Sequence, residues 1–260
     1  MKSLLSTVST VLIMWSLFVS NASAHFMTVN VDNYYPGVGE EVLISIGMGH
    51  QFPEKESYEI EKMKKMYIIG PDGKQINLTM KPEGDKKLVA PIKMKFSKSG
   101  TYVVVAVKKN EFVCKTTEGY LHKPKKELQN VIKAFWTEGH AKAIIVVGRP
   151  SGDASQRSID SRFQVFPLTD PGKLKKGGSL NASVTMDDKP VDTEVLATFT
   201  GFSAEKNAFA QKIKTDNGIA GIELSSSGTW LIKASHRIPY SNPEEADEHS
   251  FSSTVTFGVK

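Results

Sequence analysis

Ser97-Lys98-Ser99-Gly100-Thr101-Tyr102-Val103-Val104-Val105-Ala106-Val107 is a small polar turn that runs into seven residues, most of them β-branched or aromatic. Side chains of that kind fit a pleated, half-buried surface, and the glycine ahead of them supplies backbone freedom for the turn. The same grammar recurs upstream in residues 42–46 and 66–69, the latter closed by Gly70-Pro71-Asp72-Gly73, and downstream in residues 143–147. It resumes in residues 179–185, 194–199, 221–224, 229–234 and 251–257, with Asp187-Asp188-Lys189-Pro190 and Thr215-Asp216-Asn217-Gly218 as hairpin turns. Short strands at regular spacing predict a mainly β chain built from two immunoglobulin-like or transthyretin-like β-sandwiches. Two polar, Lys/Glu-rich stretches, residues 54–65 and 124–135, interrupt the pattern and read as short helices or excursions from the sheet.

The chain turns small and polar over 148–158, and Phe166-Pro167-Leu168-Thr169-Asp170-Pro171-Gly172 then punctuates it with two prolines, which sets a domain boundary at about residues 165–172. The expected division is a leader over residues 1–24, an N-terminal sandwich over 25–165 and a C-terminal sandwich over 166–260. The leader is read from Met1-Lys2, sixteen uncharged residues from Leu4 to Val19, and the small-residue end Ala22-Ser23-Ala24. That apolar run is shorter than the roughly 20 residues a membrane span needs, so the expectation is a cleaved secretory signal and a soluble periplasmic or secreted chain without an anchor.

With 40% hydrophobic and 23% charged residues the composition is that of a globular protein. Loss of Lys2 with the leader lowers the formal charge from +5 to +4. That surplus is too small for a nucleic-acid footprint, and the basic runs Lys62-Met63-Lys64-Lys65 and Lys173-Leu174-Lys175-Lys176 lack the aromatics of a single-strand binder. Cys114 is the only cysteine, so no intrachain disulfide forms, and it reads as a small buried apolar residue. The glycines of Gly37-Val38-Gly39 and Gly47-Met48-Gly49 lack the spacing of a phosphate-cradling loop, and no H-E-x-x-H, G-x-S-x-G or S-x-x-K is present. The expectation is a protein that is not an enzyme.

Cleavage after Ala24 would make His25 the first residue, joining an α-amine and an imidazole in one chelating unit. These groups ordinarily titrate near 7.7–8.0 and 6.5, so both yield their protons to a metal at small cost. Nitrogen donors of that type suit Ni, Co, Cu or Zn rather than Mg or Ca. If His25 leads a first strand that pairs antiparallel with residues 42–46, His50 falls at the same end of the sheet. His140 ahead of one strand and His236 at the close of another complete the candidate metal ligands: His25, His50, His140 and His236. His122 and His249 read as surface residues, and the acidic run from Glu244 to Glu248 lacks the pattern of a calcium loop.

Several separated motifs resemble the bacterial periplasmic family called domain of unknown function 4198, which is associated with nickel or cobalt uptake. They are His25-Phe26-Met27 with Pro36, Gly49-His50-Gln51-Phe52-Pro53-Glu54, His140-Ala141-Lys142, the interdomain stretch from Phe166 to Pro171, and Asp188-Lys189-Pro190-Val191. Thr215-Asp216-Asn217-Gly218 and Gly228-Thr229-Trp230 extend the similarity through the C-terminal module. The sequence departs from the family form at Gln51, where proline is frequent. The resemblance implies a secreted two-domain β protein that handles a transition metal, Ni(II) or Co(II) first and Cu as a further candidate, and that passes it to a membrane uptake transporter. Two other readings stay open: a carrier or adhesion-type module that binds protein or glycan with incidental histidines, and a copper oxidase built on a terminal-histidine brace.

Overall fold

The computed structural model describes residues 25–53 and 58–260. The leader read over residues 1–24 and the start of the polar stretch at 54–57 lie outside the described residues. The rest is mainly β. The continuous apolar runs of the sequence form the middle of a large sheet that is covered on both faces, which is why they do not alternate with polar residues. In the strand Gly100–Lys108, Tyr102, Val104 and Ala106 point into one core, and Val103 and Val105 point into another. The strand Met63–Ile69 divides likewise, Met66 and Ile68 to the first core and Tyr67 and Ile69 to the second.

That sheet runs, in order, through Gln211–Lys214, Glu194–Phe199, Gly228–Pro239, Glu248–Val259, Val131–Val147, Gly100–Lys108, Met63–Ile69 and Gln75–Asn77. Glu111–Thr116 and Gly119–Leu121 extend it along the first part of the 17-residue strand Val131–Val147. The seam between the N-terminal and C-terminal halves is a parallel pairing, from Phe135 opposite Glu248 to Ile144 opposite Phe257. One sheet therefore crosses the division expected near residue 165. On one face lies a three-stranded sheet, Phe26–Val31, Glu41–Gly49 and Ile92–Lys95, whose Val29, Val42, Ile44 and Ile46 close the first core. On the other lies the four-stranded sheet around Ser179–Met186, with Phe163–Pro167, Lys189–Pro190 and Ile219–Glu223. Phe163, Val165, Leu180, Trp230, Phe251 and Phe257 meet in this second core, each at 2% exposure or less.

Both hairpin turns adopt the left-handed backbone that a tight two-residue connection requires. Asp187 and Asp188 have φ of 51° and 61°, and Asn217 and Gly218 have φ of 51° and 75°. Phe163–Pro167, which runs into the boundary expected at 165–172, is a strand antiparallel to Ser179–Met186. Its proline closes the strand rather than interrupting it. The polar stretches 58–65 and 124–135 hold only single 3-10 turns, Ile60–Lys62 and Lys125–Glu127, before strand geometry resumes.

The free edge of Phe26–Val31 is sealed by side chains of the large sheet. The Thr254 hydroxyl donates to the Met27 carbonyl at 2.6 Å and the Thr256 hydroxyl to the Val29 carbonyl. Both threonines are at most 1% exposed, so these carbonyls have no access to water as an alternative partner. Replacing either threonine by the isosteric valine strands a buried acceptor. Thr254→Val and Thr256→Val are each expected to lower the free energy of unfolding by about 1–3 kcal/mol in urea titrations, with the denaturant slope unchanged.

Candidate functional site

Phe26 and Gly49 form the last pair in the antiparallel ladder between the first two strands. One step further on, the same register sets His25 opposite His50. Directly opposed residues hold their Cβ atoms about 4.5–5.5 Å apart. The two imidazoles accordingly meet, with ring centroids 3.8 Å apart and planes at 53°. His25 is exposed and His50 half-buried, so both rings can be reached from solvent. In this arrangement they pack on each other. Two nitrogens each about 2.0–2.1 Å from a shared ion would require the rings to swing apart about their side-chain torsions.

Behind the pair stands an apolar wall of Phe26, Phe52 and Leu231, none more than 6% exposed, with Phe209 packed against it. The Lys233 ammonium lies over the Phe26 ring at 4.7 Å and over the Phe209 ring at 5.8 Å. The backbone N–H of Asn207 donates to the His50 carbonyl at 2.6 Å. Phe209, Asn207, Leu231 and Lys233 all come from the C-terminal half, so the histidine pair lies at the junction of the two halves. Nothing in the local sequence marked these four residues, because they reach the pair through tertiary structure alone.

The other two candidate ligands do not join it. On Val131–Val147, Ala141, Ala143 and Ile145 face the core shared with the first two strands, whereas His140 lies opposite Ser253 in register and points to the other face. His140 is 3% exposed, and its ring nitrogens lie 3.1 Å from the Ser161 hydroxyl and 2.9 Å from the Ser253 hydroxyl. Burial, with a smaller contribution from the Lys142 charge, holds its pKa well below the ordinary histidine value. It is a neutral core residue with both nitrogens engaged. His236 shares the face of Trp230, Ile232 and Ala234 and stacks on Phe163 at 5.9 Å. The alternation of side chains along a strand thus places His140 and His236 across the sheet from His25 and His50. Among the described residues no group of three or more His, Cys, Asp or Glu is arranged to hold an ion.

His122 is a surface residue, as expected, 2.9 Å from the Glu111 carboxylate. His249 is not. It is 8% exposed, stacked on Phe251 at 3.9 Å and 2.8 Å from Glu138, because the strand Glu248–Val259 starts within what reads as an acidic loop. Burial lowers its pKa and Glu138 partly offsets that. Cys114 is fully buried beside Ala134 and Ala246, and burial pushes its thiol pKa up, away from nucleophilic thiolate.

The model for the family described as Domain of unknown function (DUF4198) matches residues 22–238. The chain belongs to that family. No curated protein matches it. Among solved structures it is similar to the D0-D1 domain of Intimin, at 14% identity over 90% of this chain and 98% of that one, with a TM-score of 0.22. Fibronectin(III)-like modules of CbhA from Clostridium thermocellum match at 12% identity over 90% and 94%, TM-score 0.23. A DUF4785 family protein of Legionella pneumophila matches at 8% identity over 83% and 53%, TM-score 0.27. Among the described residues no helix is long and apolar enough to cross a membrane.

Two residues beyond His140 on the same face, Lys142 is 3% exposed. Among the described residues its ammonium has no hydrogen-bond partner, and it stands 5.8 Å from the Phe166 ring. Burial lowers its pKa from 10.5 to about 7. The unfolded chain then binds more protons than the folded one between about pH 7 and 10.5, so this residue makes stability rise with pH across that window. Below pH 7 its destabilising effect is complete. Lys142→Met is expected to raise the free energy of unfolding by roughly 3–5 kcal/mol at pH 6, a gain that shrinks toward zero near pH 10.5, read from chemical denaturation at both ends.

Proposed function

We propose that this protein is a periplasmic transition-metal carrier that captures Ni(II) or Co(II) at His25 and His50, with Cu(II) a further cargo, and passes the ion to a membrane uptake transporter. The observation that carries the reading is the contact of the two imidazoles at the end of the first ladder. With His25 as the mature N-terminus, its amine and imidazole close a chelate ring on the ion and His50 adds a third nitrogen. Nitrogen sets of this kind follow the first-row order in which Co(II) binds less tightly than Ni(II) and Ni(II) less tightly than Cu(II).

Three donors from the chain leave further coordination positions to water or to a donor on the receiving protein. A partly filled shell at the surface favours exchange of the ion, which is what a carrier requires. His140 and His249 are buried, and His236 stacks on Phe163 at the edge of the second core. The protein is read as a binding protein and not an enzyme.

Mass spectrometry of the exported chain is expected to show His25 as its first residue. In calorimetric titration with Ni(II), Co(II) and Cu(II), a variant with one additional alanine before His25 and the variant His50→Ala are each expected to bind at least about tenfold more weakly, a loss of about 1.4 kcal/mol. Unchanged affinity in both variants would remove the site. His140→Gln is expected to leave affinity unaltered while it lowers stability.

A further inference from the structure

Resting on the metal reading, we infer that Asn207 is the positioning residue of the histidine pair and that the connection of residues 200–210 registers whether metal is bound. His50 lies one residue past the last ladder pair, Phe26 with Gly49, where regular sheet pairing ends. At that point its carbonyl accepts from the Asn207 N–H at 2.6 Å. Phe26, the neighbour of His25, packs on Phe209 from the same connection, with ring centroids 6.0 Å apart, and Lys233 covers both rings. One segment of the C-terminal half thus touches the backbone of one histidine and the residue adjoining the other.

The rings now pack at 3.8 Å and must separate to share an ion. The rings swing from two strand ends, and the Asn207 N–H holds the His50 end while the Phe209 ring packs on Phe26 beside the other. Where the backbone of His50 is held sets how far its imidazole has to travel, and so sets affinity. By reciprocity, a bound ion that fixes the pair also fixes residues 200–210.

Asn207 has φ of 60°, the left-handed region that asparagine and glycine tolerate and proline is denied. Asn207→Gly therefore keeps both the conformation and the N–H, and Asn207→Pro loses both. With Ni(II) alone as probe, Asn207→Pro is expected to bind at least about tenfold more weakly than the unaltered protein and Asn207→Gly within about threefold of it. In the unaltered protein, saturating Ni(II) is expected to slow amide hydrogen exchange over residues 205–209 at least about tenfold. Equal affinity in Asn207→Pro, or exchange there that ignores Ni(II) while calorimetry shows the ion bound, overturns the inference. If Asn207→Pro fails to fold, the exchange comparison on the unaltered protein decides. An unaltered protein that takes up no metal at all removes the carrier reading itself, and the role of Asn207 with it.

Discussion

The structure depends on the parallel ladder between Val131–Val147 and Glu248–Val259. It is the pairing through which the two halves of the chain become one sheet, and it makes the middle of that sheet inaccessible from either side. A strand covered on both faces has no solvent side, so its side chains sort only between two interiors. Both interiors are filled from distant parts of the chain: one by the first two strands, the other by Phe163, Leu180, Trp230 and Phe257.

That sorting decides what each polar residue on the shared strand can do. His140 and Lys142 occupy positions of one parity and enter the second core, where water cannot follow. His140 is accommodated as a neutral ring between two serine hydroxyls. Among the described residues the Lys142 ammonium has no hydrogen-bond partner and stands near the face of the Phe166 ring, and burial lowers its pKa to about 7. The two residues differ because a neutral imidazole needs one donor and one acceptor, which hydroxyls supply, whereas an ammonium needs acceptors throughout. Tolerance of such a residue implies a core whose remaining burial outweighs it.

His25 and His50 meet the opposite circumstance. They lie where the first ladder runs out, so no sheet covers them and their rings keep access to water. The C-terminal half closes around these residues through Phe209, Leu231 and Asn207. His25 is exposed and His50 half-buried, in contrast to the sealed environments of His140 and His249.

The local sequence marked the longer apolar strands and the two left-handed hairpin turns, and it argued for His25 and His50 as neighbours. Each of these follows from short-range rules: alternation, turn chemistry and the register of neighbouring antiparallel strands. It also determined that Cys114 is a buried apolar residue. It did not determine that residues 163–167 form a strand, since Phe163-Gln164-Val165-Phe166-Pro167 has its partner in Ser179–Met186 and runs into the proline-marked boundary. Nor did it determine which face His140, His236 and His249 would take. Every strand offers two faces of equal local standing, and the choice between them is made by what packs there, from other segments of the chain. Only the tertiary structure made that choice, because parity along a strand is local while the identity of the covering layer is not.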